Sequence, residues 1–500
     1  MKSPHKILVT GATGYVGGRL VPYLLEKGYH VKAISRSLKK LEGRSWAKHH
    51  HVELCEVDVL DKDALCKAME DCTAAYYLVH SMLPGEKKFR ETDKDAAMVF
   101  RDASRTSPLK RIIYLGGLGA NNEKLSEHLQ SRQEVAHILS EGPVPTTLLR
   151  AALIIGSGSA SFEILRYLVD RLPLMTAPRW INTLCQPIAI RNVIHYLLGC
   201  LEHDETNGKT YDIGGPDVLS YRKLMEIYAE EAHLRKRIIV PLPFLSPRLS
   251  SYWIHLVTPV PASIAKPLVE GLRNKVVCKN KDIEAIIPQH LLSCQDAISR
   301  ALERTKTNTI MSHWTDAGKI PPFEWGYEGD PQWTGGTLLT DRRVIEIPVS
   351  SSKVWKVITK LGGKNGWYHG NWLWSVRGFI DRLFGGVGLK RGRRESEIIL
   401  PGDAVDFWRA VQVDPSKKLV LVAEMKLPGQ ASLEFKLSSP GKDRCILTQT
   451  AKFKPKGLMG LLYWYSILPL HHYVFGGMQK KIAKLAVYGT APKKAFSLYL

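Results

Sequence analysis

The sequence predicts an α/β chain: a doubly wound parallel sheet in the first half and a separate α+β domain in the last third. Three observations predict it. A glycine-rich turn joins a strand pattern to a helix pattern at the start of the chain. Strand and helix patterns then alternate for some three hundred residues, as parallel sheets require. From Asp341 onward strand follows strand, and helical periodicity returns only from Gly457 to about Tyr488. A length of 500 residues suits two or three domains.

The apolar run Ile7-Leu8-Val9 is followed by Thr10-Gly11-Ala12-Thr13-Gly14-Tyr15-Val16-Gly17, and the helix pattern opens with Leu20, Leu24 and Leu25. Gly11 permits a tight turn, Gly14 lets the backbone approach a pyrophosphate, and Gly17 lets the helix pack close to the strand. The free N–H groups of the helix start face the phosphate charge. Gly28, just past the helix, suits its C-terminal end. Gly11, Thr13, Gly14, Tyr15, Val16 and Gly17 are therefore candidate dinucleotide-binding residues. The second strand, Tyr29 to Ser35, ends at Arg36, where an NAD-selective site carries an acid. A guanidinium there suits a 2′-phosphate, so NADP(H) is favoured over NAD(H). The third strand, His51 to Val57, runs into Asp58-Val59-Leu60-Asp61. Asp58 and Val59 are placed to border the adenine, and Asp61 to cap the next helix.

These motifs, with Tyr76-Tyr77-Leu78-Val79-His80-Ser81 and Tyr211-Asp212-Ile213-Gly214-Gly215-Pro216, resemble the extended and atypical short-chain dehydrogenase/reductases, over roughly residues 1 to 300. The resemblance is nearest to epimerase-like NAD(P)-binding proteins that carry a second, C-terminal domain. It implies a Rossmann fold with an extended substrate region, and it implies that Leu78, His80 and Ser81 line the nicotinamide side. Active members of that superfamily use a Ser or Thr after the fifth strand, then a Tyr and a Lys four residues apart. Here the fifth strand, Arg111 to Leu115, continues Gly116-Gly117-Leu118-Gly119 without the hydroxyl. The best match to the Tyr and Lys positions is His128 and Arg132, with Ser131 between them. Histidine can donate a proton near neutral pH, whereas arginine binds charge and does not relay protons. One histidine on a polar helix reads first as a surface residue. Arg150 to Ser159 matches the sixth strand and a loop whose small residues would leave room for substrate. Trp180 and Gln186 are candidate wall residues.

The composition, 44% hydrophobic and 24% charged, is that of a soluble globular protein. Met1 to Lys6 lead straight into the first strand without an apolar leader, and the eight cysteines are scattered without a Cys-x-x-Cys pair. Both features point to a reducing, cytoplasmic setting. His49-His50-His51 does not form a ligand set, because consecutive side chains diverge and no acid or cysteine joins them, so no metal is expected. Residues 335–500 hold 27 Lys and Arg against 11 Asp and Glu, which is most of the net charge of +22. Lys390-Arg391-Gly392-Arg393-Arg394 is one short cluster, and nothing resembles a nucleic-acid motif. Leu458 to Met478 is apolar, but its unbroken part ends at Leu470, too short to span a bilayer. With Lys480, Lys481 and Lys484 behind it, it suits peripheral contact with an anionic membrane.

Pro241 to Pro267 is expected to form loops and short helices over the substrate side. A linker near 305 to 340 carries Pro321-Pro322, Gly335-Gly336, Trp314, Trp325 and Trp333. Beyond it come a strand at Val344 to Val349 and a helix start at Ser350. Strands follow at Glu397 to Leu400, Ala404 to Val413, Lys418 to Met425, Ala431 to Leu437 and Cys445 to Phe453. This order is that of a START-like helix-grip domain, and it resembles the uncharacterised domain fused to epimerase-like proteins. Supporting runs are Gly385-Gly386-Val387-Gly388-Leu389, Gly402 to Arg409 and Tyr463-Trp464-Tyr465. The domains expected are 1–235 (NAD(P)-binding), 236–335 (substrate-side extension and linker), 336–490 (START-like) and 491–500 (tail). The function expected is an NADP(H)-dependent oxidoreductase for a small, apolar molecule held by the C-terminal domain. The alternative is a non-catalytic dinucleotide-binding assembly or redox-sensing module.

Overall fold

The computed structural model describes residues 6–80, 89–119, 125–242, 254, 262–306, 338–389, 397–441 and 443–489. Ser81, the linker tryptophans, the basic run 390–394 and the tail lie outside them. The chain divides into two units, Met1–Lys319 and Ile320–Leu500.

The first unit is built on a seven-stranded parallel sheet in the order β3-β2-β1-β4-β5-β6-β7. Its strands are β1 (Lys6–Val9), β2 (His30–Ser35), β3 (Val52–Glu56), β4 (Ala74–Tyr77), β5 (Arg111–Gly117), β6 (Thr146–Ala151) and β7 (Thr210–Ile213). The order reverses beside β1: Ile7 pairs with Val31 on one side and with Ala74 on the other. Sheets of this kind open a ligand crevice at the carboxyl end of that reversal. Helices α1 (Gly17–Glu26), α2 (Leu38–Glu42), α3 (Lys62–Met69), α4 (Phe89–Ser104) and α5 (Glu127–Ser140) connect the first six strands. Asp61 caps α3 by accepting from Ala64 N, and Gly28 turns the chain out of α1 at φ +81°.

The sixth strand lies earlier than its predicted position, because it starts directly after Pro145 and ends at Ala151. The apolar run Leu153-Ile154-Ile155 forms only a two-residue strand beside Ile188–Ala189. After β6 come α6 (Ala160–Arg171), α7 (Ile190–Glu202), α8 (Tyr221–Glu231), α9 (Ala262–Gly271), α10 (Asp282–Ile286) and α11 (Cys294–Lys306), with α7 packed on α1. Phe162, Leu224, Tyr228, Val269 and Ile298 form a second core there, separate from the one under α1 and α7.

The second unit is a six-stranded antiparallel sheet: β8 (Leu339–Ile347), β9 (Ala404–Val405), β10 (Trp408–Asp414), β11 (Lys418–Ala423), β12 (Gly429–Gly441) and β13 (Arg444–Pro455). Its order is β8-β13-β12-β11-β10-β9, so the first strand pairs with the last. Helices α12 (Ser351–Ile358) and α13 (Asn371–Leu383) follow β8, and α14 (Gly457–Tyr488) follows β13. Met478 and Ile482 of α14 share the core with Val354, Phe407, Leu421, Phe435 and Leu447.

Two expectations fail here for one physical reason, a carboxylate that breaks the strand. Ala404 to Val413 is two strands, because Asp406 sits in the left-handed region at φ +56° and turns the chain. Its buried carboxylate accepts from Trp367 Nε1 at 2.8 Å and from Gly363 N at 3.2 Å. Residues 397–400 are not a strand, since Asp403 captures Leu400 N at 2.8 Å in a turn. A third carboxylate explains the glycine run 385–389. Asp381 is buried, accepts from Gly388 N and Lys426 N, and would meet a Cβ on Gly386 at 2.2 Å.

Replacing Asp406 by Ala strands the Trp367 indole N–H and puts an alanine in the left-handed region. We expect D406A to destabilise the second unit by about 2–4 kcal/mol in chemical denaturation. D406N keeps an acceptor and tolerates that backbone, so it should lose less than half as much.

Candidate cofactor cradle and active site

Where β1 and β4 end, Thr10 holds the two exits together. Its N and Oγ1 both donate to Tyr76 O, and Oγ1 accepts from Leu78 N at 3.0 Å. Gly11 then turns at φ +65°, where a Cβ would lie 2.6 Å from Leu78 O. A Cβ on Gly17 would lie 2.4 Å from Gly11 O, so α1 starts in contact with the turn. Gly14 N closes the loop on Gly11 O at 2.8 Å. Neither Gly11 nor Gly17 can carry a side chain without moving backbone. The result is a concave strip of main chain at the start of α1, the geometry an anion accepts.

The other sequence-predicted residues surround this strip in different ways. Val16 is the cap residue of α1 and accepts from Leu20 N. Thr13 Oγ1 stands 3.4 Å from Ser35 Oγ, and Arg36, the next residue, is exposed. Asp58 is exposed and accepts from Leu60 N, and Val59 packs on the core under α3. Leu78 meets the turn with its backbone. Tyr15 reaches away from the turn, to the loop after β6. A Cβ on Gly156 would lie 2.4 Å from its hydroxyl, and burial pushes that phenol up to about 12. Arg19 sits over the Tyr15 ring and donates to Ser157 O at 2.7 Å. The small residues of 156–159 therefore make room for Tyr15 and not for substrate. Sequence reasoning missed Arg44, whose buried guanidinium donates to Thr13 O at 2.8 Å and braces the turn from behind.

His80 and His128 come together, with ring centroids 5.2 Å apart. The Asp93 carboxylate lies 2.9 Å from His80 Nδ1 and accepts from Ser131 Oγ at 3.1 Å. This fixes His80 with its Nδ1–H on Asp93 and Nε2 unprotonated. His80 Nε2 and His128 Nδ1 are buried and find no hydrogen-bond partner among the described residues. Arg132 donates to the Tyr114 hydroxyl, which donates back to Arg132 O at 3.3 Å. His128 is thus half-buried with a buried Nδ1, not a solvated surface histidine. Helix α5 packs against both α4 and α9, and two-sided packing leaves no apolar stripe in the sequence. Burial, with the His80 ring and the Arg132 charge, holds the His128 imidazole well below its ordinary value. Burial and Arg132 also lower His80, against the pull of Asp93.

His128 forms part of the wall of a cavity of about 540 Å³. Gly117 and Leu118 at the end of β5 and Ala151 to Leu153 at the end of β6 line it. Leu165 and Leu168 of α6, Leu224 and Met225 of α8, Leu268 of α9 and Leu272 just beyond it also line it. Ser161, Thr176 and Tyr221 are the remaining polar side chains. Gln186, a predicted wall residue, is instead a buried tie: its Nε2 donates to Gly215 O and its Oε1 accepts from Cys278 N. Trp180 lies in a short 3-10 turn, and its side chain is outside the described residues. Glycine turn, Leu78, His80, His128 and cavity thus follow one another along the carboxyl edge of the sheet.

Comparison with known proteins bears on both units. Residues 11–153 match the model of an NAD(P)H-binding family. The first unit carries a Rossmann-like α/β parallel sheet, and residues 11–153 of it are similar to that NAD(P)H-binding family. Residues 333–478 match the family described as "Protein of unknown function (DUF2867)". Cinnamoyl-CoA reductase 2 of Arabidopsis thaliana is 28% identical over 122 residues, 23% of this chain and 36% of the relative. The chain thus spans little more than a third of that relative's length. The mitochondrial NADH dehydrogenase [ubiquinone] 1 alpha subcomplex subunit 9 of Arabidopsis thaliana is 24% identical over 277 residues, 53% of this chain and 67% of the relative. The Citrobacter sp. triphenylmethane reductase complexed with NADP(H) superimposes with a TM-score of 0.49 at 19% identity, over 59% of this chain and 99% of that one.

Because His80 and His128 resist protonation when folded, the unfolded chain binds more protons once pH falls below about 6.5. Stability is unaffected well above that pH and falls progressively below it, down to the folded values. In denaturation midpoints measured from pH 7.5 to 5, we expect H128Q to flatten the acid slope of the first unit; an unchanged slope would contradict a buried, neutral His128.

Proposed function

We propose that the protein is an NADP(H)-dependent reductase of a small apolar carbonyl or activated alkene compound. The observation that carries this reading is the continuity of the glycine cradle, the His80–His128 pair and an apolar cavity of about 540 Å³. The cradle, whose close backbone packing a Cβ at Gly11 or Gly17 would break, fits a dinucleotide pyrophosphate. The turn amides from Thr13 to Gly17 and the start of α1 would hold that pyrophosphate. Arg36 would pair with the 2′-phosphate, which favours NADP(H) over NAD(H), and Asp58 and Val59 would border the adenine. Leu78, His80 and Ser81 would flank the nicotinamide. When bound, the cofactor supplies the hydride. The cavity excludes water and orients an apolar substrate. His128, on the cavity wall, delivers the proton that completes the reduction, with His80 held beside it by Asp93. A depressed imidazole is a strong acid when protonated and is scarcely protonated at neutral pH, so reductive turnover climbs as pH falls. The second unit is read as a START-like domain for a lipophilic ligand, supported by the pairing of its first strand with its last. Eight free thiols favour a cytoplasmic setting.

A second reading, a non-catalytic dinucleotide-binding assembly module, is favoured by one observation: Arg132, at the lysine position, is tied to Tyr114. Similarity to a mitochondrial NADH dehydrogenase subunit supports it.

Two measurements separate these readings. NADPH oxidation is followed against a panel of apolar aldehydes, enones and quinones from pH 5.5 to 8. Turnover that rises toward acid and is lost in H128Q, with NADPH binding retained, is the expected result; nucleotide binding without turnover on any substrate favours the module. For cofactor choice, R36A should weaken NADPH about tenfold or more and leave NADH nearly unchanged. Equal loss for both removes the phosphate role of Arg36.

A further inference from the structure

Helix α13 is packed the wrong way round for a helix in water. Its buried stripe is narrow, Trp374, Gly378 and Asp381, whereas Trp372, Val376, Phe379, Leu383 and the following Phe384 are 48–76% exposed. The first half of α14 does the same. Met459, Leu462, Leu470 and Tyr473 recur at helical spacing along one side and are 47–68% exposed, with Tyr465 beside them.

The two exposed rows lie on helices linked at two places. At one end the His369 ring lies 4.6 Å from that of Tyr473, and a Cβ on Gly477 would strike it. At the other, Arg377 donates to Lys426 O while Lys456 N donates to Pro428 O. Gly460 packs against that same Pro428 carbonyl, so the β11–β12 connection bridges both helices. Exposed apolar rows of this kind, on two linked helices, mark an interaction site.

Charge identifies the occupant. The one acid of α13, Asp381, is buried, and Gly457 to Met478 contains no charged residue. Lys426 on the bridging segment and Lys456 just before α14 are exposed, and beyond His369 the outer stripe of α14 continues as exposed Lys480, Lys481 and Lys484. Lysine is depleted from protein interfaces, whereas lysines bordering an apolar face are drawn to anionic headgroups. Exposed Trp and Tyr rings, apolar in body and polar at the tip, partition to the same layer. No helix among the described residues is long and apolar enough to cross a bilayer. We propose that the outer face of α13 and of the first half of α14 rests in the headgroup layer of an anionic membrane, with the lysines on the lipid phosphates.

Flotation of the full chain with vesicles of phosphatidylglycerol and phosphatidylcholine in roughly equal parts tests this, with phosphatidylcholine vesicles as control. The expected result is binding to the anionic vesicles at low salt. F379D and L462D, at exposed sites that leave the melting temperature unchanged, should each weaken it about tenfold or more. Replacing Lys480, Lys481 and Lys484 by Gln should weaken anionic binding selectively. Absence of wild-type binding, or binding that both aspartate variants retain, overturns the proposal. So does a wild-type dimer that F379D dissociates while neither protein floats, an outcome that assigns the face to a second copy of the chain.

Discussion

The first unit is organised around a distance that only glycine allows. With a Cβ at Gly17 placed 2.4 Å from Gly11 O, and one at Gly11 placed 2.6 Å from Leu78 O, three segments converge with backbone touching backbone. The exits of β1 and β4 and the start of α1 are therefore one rigid object. Thr10 secures it from within by bonding Tyr76 and Leu78, and Arg44 secures it from behind through Thr13 O. Where α1 starts decides where its free N–H groups point, and where Leu78 sits decides where His80 goes. The cradle and the imidazole pair consequently share a single steric origin.

From that origin the chemistry follows through burial. Asp93 reads as one acid among several in an ordinary amphipathic helix, yet it is 3% exposed and fixes both His80 and Ser131. A carboxylate so buried is tolerable only when its oxygens are satisfied. His128 Nδ1 finds no such anchor among the described residues, and the ring stands next to an apolar cavity. Arg132 cannot move a proton, but its charge lowers both imidazoles. In the proposed reductase, acid–base chemistry would be reached through desolvation, where the common Tyr–Lys arrangement uses a lysine charge.

Local chemistry was legible in the sequence, and long-range satisfaction was not. Gly11, Gly14 and Gly17, the Asp61 cap and the C-terminal Gly28 act within a few residues of themselves, so spacing alone reveals them. Arg44 is lost in a basic stretch, Gln186 looks like any polar loop residue, and Asp406 hides in a strand-like run. Each acquires its role from a partner dozens of residues away: Thr13, Gly215 and Trp367. Small residues misled for the same reason. Gly156 reads as free space, but Tyr15 fills it from the other end of the unit. Arg36 and Asp58 were placed by counting from the strands, and both stand at strand ends on the carboxyl edge. Ser81 falls outside the described residues.

Hydrogen exchange of the full chain, read by mass spectrometry with and without NADPH, tests the central claim most directly, because it reports the amides of the turn themselves. Slowed exchange confined to the peptides spanning residues 11–20 and to the strand ends beside them is the expected result. Unchanged exchange at those amides under saturating NADPH, or protection found only elsewhere in the chain, would contradict it.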